Sequence, residues 1–318
     1  MNDPVKDTAP QQPPCDISVV IPLYNKAAEI GRAVRSVLAQ TLPPREVIVV
    51  DDGSTDGGAD VVERMASSVV RLVRQENRGV SAARNRGIAM ASGRYVALLD
   101  GDDRWQPQYL EQVWRLIARY PDCGAYGTGF MVDTDGRLTV GDTPRTEGIV
   151  DFFSESMTRY VLIPSAATLR RDLVMDVGGF PEGMRMGEDQ WLWTVLARRA
   201  AVAFTPQPLA VYSRTASNRS AAIFRPESTS HSLYELYDPA AEAMSNEYIA
   251  RVALGKALVQ SAGGDTAAAE ALRLFSYSRL SRRIALKVRV LNALPRRVRP
   301  AVISIYNRLA WLLARKGL

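Results

Sequence analysis

The stretch LLDGDD, residues 98–103, places Asp100, Asp102 and Asp103 directly behind an apolar run. Clustered carboxylates at the end of a buried strand need a counter-charge. Asp100 and Asp102 can converge on a divalent ion, because hard cations such as Mg2+ and Mn2+ prefer carboxylate oxygen. An ion of that kind keeps waters and shares substrate phosphates, so the pair points to a nucleotide-diphosphate site rather than a closed metal cage. The plain alternative is an acidic turn, in which Asp103 starts the turn into a helix near Pro107.

Three further stretches carry side chains able to bind or react. In VIVVDDGSTD, residues 47–56, Asp56 suits a helix N-cap. Asp52 would stay exposed at the strand end, where it can accept a hydrogen bond from a base N–H. In NRGVSAARNRG, residues 77–87, the first helical turn offers free N–H groups and partial positive charge to a phosphate, and Arg84 adds a fixed cation. A solvated face holding Arg78, Arg84 and Arg86 is the alternative. In GGFPEGMRMGEDQWLW, residues 178–193, Glu188 and Asp189 open a helix whose dipole favours acids there. A carboxylate so placed can also act as general base towards a hydroxyl.

These clusters need elements to carry them. Strand patterns fall at 17–22, 47–52, 69–73 and 95–100, separated by helical patterns at 29–40, 58–66 and 79–91, with another helix at 107–119. Such alternation implies an α/β fold with a mostly parallel sheet and helices on both faces. Ligands of such sheets bind beyond the carboxyl ends of the strands, and PLYN, DDGSTD, QENRG and DGDD all follow strands. Beyond 120 the pattern loosens into short strands and loops. Helix returns at 188–199, and AVAFTP and PLAVYS read as two short strands. Past about 238 the chain reads helical.

Five of these motifs in this order, ISVVIPLYNKAAEIGRAVRSVLAQT, VIVVDDGSTD, NRGVSAARNRGI, GRYVALLDGDD and GGFPEGMRMGED, closely resemble the family 2 inverting glycosyltransferases of the GT-A fold over residues 16–215. The resemblance implies that Pro22 and Tyr24 flank a nucleotide base that Asp52 binds and that Asp100 serves the nucleotide sugar, where the cation of Arg84 is expected to join it. It makes Asp100 and Asp102 the DxD pair, with Asp102 the direct ligand of Mn2+ or Mg2+. Asp189 matches the catalytic base and Glu188 its companion towards the acceptor. The implied reaction moves one sugar from a nucleotide-diphosphate donor, a UDP-sugar being favoured, to a hydroxyl of a glycan or lipid-linked acceptor in bacterial cell-surface polysaccharide synthesis. Relatives often carry a histidine after the last strand. Thr215 stands there, with Arg214 or Arg219 as substitutes and the single histidine, His231, further on. A processive QxxRW element is lacking, and Trp191 and Trp193 read as core.

A dehydrogenase would need GxGxxG after the first strand, and a sugar nucleotidyltransferase a Gly-rich phosphate loop; PLYNKAAE is neither. A nucleotide-sugar-binding protein without activity would have no use for Asp189 beside a DxD. The net charge of +6 hides an asymmetry: residues 271–318 hold twelve Lys or Arg and no acid, leaving 28 basic against 34 acidic side chains in 1–270. An acidic body argues against a nucleic-acid track. The tail, with Val302, Ile305, Tyr306, Leu309, Leu312 and Leu313 at helical spacing, fits either an anionic membrane interface, reached through 279–318, or a helix packed on protein. Cys15 and Cys123 suggest neither zinc nor disulfides, and Cys15 reads as part of a tail. Residues 1–15 read as a disordered lead-in, 16–220 as the catalytic domain and 221–318 as a mainly helical region. Without a signal peptide or a spanning segment the expected location is cytoplasmic, either free or peripheral on the inner membrane face.

Overall fold

A computed structural model describes residues 15–184, 187–215, 233–275 and 278–306. The lead-in up to residue 14, Arg219, His231 and the end of the basic tail lie outside the described residues.

The first half alternates as its hydrophobic pattern demands: β1 (Ile17–Leu23), α1 (Ile30–Leu38), β2 (Glu46–Asp52), α2 (Gly58–Glu63), β3 (Val70–Gln75), α3 (Val80–Met90) and β4 (Tyr95–Leu98). The four strands lie parallel in the order β3-β2-β1-β4. β1 and β2 are apolar at successive positions because both their faces are covered. Ile17, Val19 and Ile21 join the core under α1, built on Ile30, Val34 and Val37. Val20, Ile48 and Val50 face the opposite layer, where Ala83 and Ile88 of α3 sit. Cys15 is buried at the start of this strand rather than standing in a tail.

The second half adds β5 (Arg104–Trp105), α4 (Tyr109–Arg119), β6 (Ala125–Thr134), β7 (Arg137–Val140), β8 (Gly148–Val150), α5 (Phe152–Ser156), β9 (Ala167–Arg170), α6 (Arg171–Asp176), α7 (Glu188–Ala197) and β10 (Val202–Ser213). The sheet continues β4-β9-β6-β10-β5, with β7 beside β6 and β8 beside β10. Here the parallel expectation needs correction. β9 runs antiparallel to both β4 and β6, and only β6 and β10 pair in parallel, so this half is mixed. AVAFTP and PLAVYS are one strand of 12 residues, not two. Its register against β6 slips around Pro206 and Pro208, which have no N–H to continue the ladder. The β6 residue at the slip is Gly129, where a Cβ would lie 2.5 Å from the Pro206 carbonyl oxygen. The glycines of AYGTGF that hide β6 in the sequence are thus what lets the kinked strand approach.

The described residues after β10 include a helix from residue 299 and, before it, α8 (Ala243–Gly263), α9 (Thr266–Phe275) and α10 (Arg282–Ala293). α8, α9 and α10 share a small core of Ala257, Ala269 and Val288. α8 also docks on the sheet layers: Tyr248 packs at 5.8 Å from Phe152 and 6.0 Å from Phe153. Arg198, just past α7, donates to Ser245 Oγ and the Leu236 carbonyl. Among the described residues no helix is long and apolar enough to cross a membrane.

α3 crosses β1 so closely that a Cβ on Gly87 would lie 2.4 Å from Val20 Cγ1. Gly→Ala in an exposed helix stabilises by roughly 1 kcal/mol. Gly87→Ala should instead destabilise by roughly 1–3 kcal/mol through overpacking. Thermal unfolding reads the sign, and a raised midpoint would show that this crossing is looser than described.

Candidate active site

The loops leaving β1 and β2 are stitched together at the carboxyl edge of the sheet. The Asn25 N–H donates to Ser54 Oγ at 3.0 Å, and Asn25 Oδ1 accepts the Thr55 N–H at 2.8 Å. Asp56, expected as a helix cap, stands before the Gly57 N-cap of α2 and bridges the two loops. Its carboxylate accepts from the Ala27 N–H at 2.8 Å and the Gly58 N–H at 2.9 Å. The stitching leaves the Tyr24 ring exposed and Pro22 half-buried at the rim.

Asp52 differs from its expectation. It is 2% exposed rather than open at the strand end. One carboxylate oxygen accepts from Gln75 Nε2 at 2.7 Å and the Arg78 N–H at 2.9 Å; the other accepts from the Gly79 N–H at 2.8 Å. The β3–α3 loop folds back over it, so the anion at the amino end of α3 is this protein carboxylate. Asp52 thereby fixes where α3 starts.

α3 then delivers Arg84 and Asn85. Arg84 is 3% exposed, not part of a solvated face. Nη2 meets Asp100 Oδ1 at 2.8 Å, Nη1 meets Glu188 Oε1 at 3.2 Å, and the guanidinium lies 5.1 Å from the Phe180 ring centre. The charges of Asp100, Glu188 and Asp189 outweigh burial and hold it cationic. Asn85 clamps the backbone of Phe180 from both sides: its Nδ2 donates to the carbonyl and its Oδ1 accepts the N–H, each at 2.8 Å. One helix therefore positions both the DGDD turn and the Gly-Gly-Phe turn that leads into α7. Trp193 of α7 is core against Phe180, and Trp191 packs beside it.

In DGDD the three acids separate. The Asp100 N–H is held by Ser165 Oγ at 3.0 Å. Asp102 Oδ2 pairs with Lys26 Nζ at 2.8 Å, which ties the loop after β1 to the loop after β4. Burial and the neighbouring Asp100 push the Asp102 carboxyl up. Asp103, expected only to open a turn, is fully buried and accepts from Ser165 Oγ at 2.5 Å and the Ser213 N–H at 2.7 Å. It clamps the turn to the end of β10, which carries Arg214 and the exposed Thr215. Asp100 and Asp102 supply hard carboxylate oxygens, the donor type that Mg2+ or Mn2+ takes. Among the described residues no group of three or more His, Cys, Asp or Glu could enclose an ion. The donor set fits an ion completed by water and substrate phosphate.

Glu188 and Asp189 occupy the first turn of α7. Burial, followed by the Asp189 charge, raises Glu188 to about 7, against the pull of Arg84. Asp189 is also raised, by burial, although its Oδ1 accepts the Gln190 N–H at 2.7 Å. Two groups absent from the sequence reading come from α8. A Cβ on Gly187 would lie 3.6 Å from Lys256 Nζ. Burial lowers the Lys256 ammonium while Glu188 and Asp189 draw it up. Tyr248 is raised by burial and by the Asp189 charge. The available signal was spacing: Tyr248, Val252 and Lys256 recur every four residues, which aligns them on one helix face.

The profile for "Glycosyl transferase family 2" matches residues 18–178. An uncharacterized Mycobacterium tuberculosis protein, MT1568, is 30% identical over 65% of this chain and 70% of its own length. Glycosyltransferase AglE of Haloferax volcanii is 33% identical over 59% of this chain and 63% of its own. Succinoglycan biosynthesis protein ExoU of Rhizobium meliloti is 34% identical over 57% and 56%. The chain thus spans less than two thirds of AglE and of ExoU. The fold matches a crystal structure of S. aureus TarS in complex with UDP-GlcNAc, with a TM-score of 0.64 at 20% identity over 87% of this chain and 88% of that one. With the strand order, the DGDD turn and the α7 acids in place, the chain belongs to glycosyl transferase family 2 and has the GT-A fold of those glycosyltransferases.

Proposed function

We propose that this glycosyltransferase moves one sugar from a nucleotide-diphosphate donor to a hydroxyl of a glycan or lipid-linked acceptor, with inversion, in bacterial cell-surface polysaccharide synthesis. The observation that carries the reading is the buried cation Arg84, which holds Asp100 at the nucleotide edge and Glu188 beside Asp189. ExoU is named for succinoglycan biosynthesis, which supports a polysaccharide product. A UDP-sugar is favoured as donor because TarS holds UDP-GlcNAc in one structure and UDP in another.

In this reading Pro22 and Tyr24 flank the base and Asp52 meets it through the loop it organises. Asp100 and Arg84 face the diphosphate end. Asp189 takes the proton from the acceptor hydroxyl. The freed oxygen attacks the anomeric carbon opposite the departing phosphate oxygen, so the C–O bond to the diphosphate breaks as the new one forms, and the configuration inverts. Glu188 orients the acceptor beside that base. Asp102, with Asp100, would hold Mn2+ or Mg2+, which when bound neutralises charge on the nucleoside diphosphate. Lys26 then has to leave Asp102 or share it.

Nucleotide sugars screened for thermal stabilisation and transfer, with and without Mn2+, test the reading. Asp189→Asn should keep stabilisation by UDP and lose transfer by roughly 100-fold or more. Unchanged turnover would remove Asp189 as base. Stabilisation by UDP that is equal in Mn2+ and in EDTA would remove the ion from Asp102.

The acidic limb of kcat/KM should fall near pH 7, where the Glu188–Asp189 pair takes up a proton. Glu188→Gln removes a neighbouring negative charge, so ionised Asp189 is favoured and the limb should move to lower pH. Lys256→Met removes a nearby positive charge, so the limb should move to higher pH. Shifts of the opposite sign would show that these groups do not act on one another.

A further inference from the structure

We propose that the outer face of α10 and of the helix beginning at residue 299 is a docking surface for an anionic lipid interface. α10 buries Val288 and Leu291 against its neighbours. On the opposite side Leu286 and Val290 are 59% and 55% exposed. At 100° per residue, Arg282 and Arg289 flank that apolar pair on one side and Arg283 and Lys287 on the other, all four exposed. The next helix presents Val302, Ile305 and Tyr306, also exposed. Arg299 fixes its place: it is buried and donates to the carbonyls of Leu294, Ser261 and Asn292 and to Thr266 Oγ1. The Lys287 ammonium lies 4.4 Å from the Tyr306 ring centre, which brings the two exposed faces together.

The chemistry of this surface selects its occupant. An apolar centre rimmed by cations suits a helix lying in an interface of anionic headgroups. A nucleic acid would use the cations and gain nothing from Leu286, Val290 or Ile305. No acid occurs from residue 271 onward, and Glu270 of α9, the acid beside Arg289, is paired with Arg273. The surface also stands close to the chemistry. Lys256 of α8 reaches towards Gly187, while the next residue, Ala257, packs on Val288 of α10. Two helix layers, roughly 20 Å at the usual spacing, separate the lipid-facing side from the α7 acids.

Co-sedimentation of the full chain with vesicles tests this without turnover. Phosphatidylcholine vesicles should bind little. Replacing a third of that lipid with phosphatidylglycerol should retain the protein, and high salt should release it. Each single charge removal, such as Arg283→Gln or Arg289→Gln, should weaken retention about fivefold. Leu286→Glu with Val290→Glu should abolish it while leaving circular dichroism and stabilisation by UDP unchanged. Equal retention of that double variant, or retention by neither vesicle, overturns the proposal. So does a dimer in light scattering that the double variant converts to monomer, because a second copy would then cover the face. Nucleotide-sugar transfer to a soluble acceptor is measured apart from these results, so loss of vesicle binding leaves the transfer reading standing.

Discussion

A buried guanidinium between two carboxylates organises this molecule. Arg84 is held on a helix inside the sheet-facing layer, and water cannot compensate its charge there. Asp100 and Glu188 must therefore stay within reach of it, one from the end of β4 and the other from the start of α7. Removing one partner of such a pair leaves an uncompensated buried charge, at a cost of roughly 3–5 kcal/mol. The constraint works in both directions: the acids keep Arg84 charged, and Arg84 keeps two distant chain segments in one site.

The other acids of the edge divide into those that serve the protein and those left for a ligand. Asp52 and Asp103 are held by backbone N–H groups together with the Gln75 amide and the Ser165 hydroxyl, so they act as staples of the α3 and β10 approaches. Asp102 accepts from the Lys26 ammonium and Asp189 from the Gln190 N–H; burial raises their carboxyl groups as it does that of the staple Asp103, so geometry and not protonation separates the two classes. Lysines from two sides, Lys26 and Lys256, temper that charge. Lys256 makes the helices after β10 part of the site's electrostatics rather than an appendage beside it.

Much of the architecture was legible because local patterns and tertiary demands agree. β1 and β2 read as doubly covered strands, and they are. Agreement broke where a residue answers to a distant neighbour. β6 looked irregular because its glycines exist for the approach of β10, and β10 looked like two strands because its prolines interrupt a ladder that continues beyond them. Likewise, nothing local distinguishes the buried Asp103 from Asp102 one residue earlier. The difference lies in Ser165 and Ser213, which are 62 and 110 residues away.

The sequence by itself determined the run of strands and helices, the edge at which polar turns gather, and the acids available there, because hydrophobic period and strand-end chemistry are local properties. It also determined the basic character of the tail. Only the tertiary structure decided which acids are staples and which remain open, that Arg84 faces inward, that α8 brings Lys256 to the α7 acids, and that Lys287 of α10 reaches the Tyr306 ring of the next helix. Each of these depends on charges or surfaces from remote segments coming into contact, and contact between remote segments leaves no period in the chain.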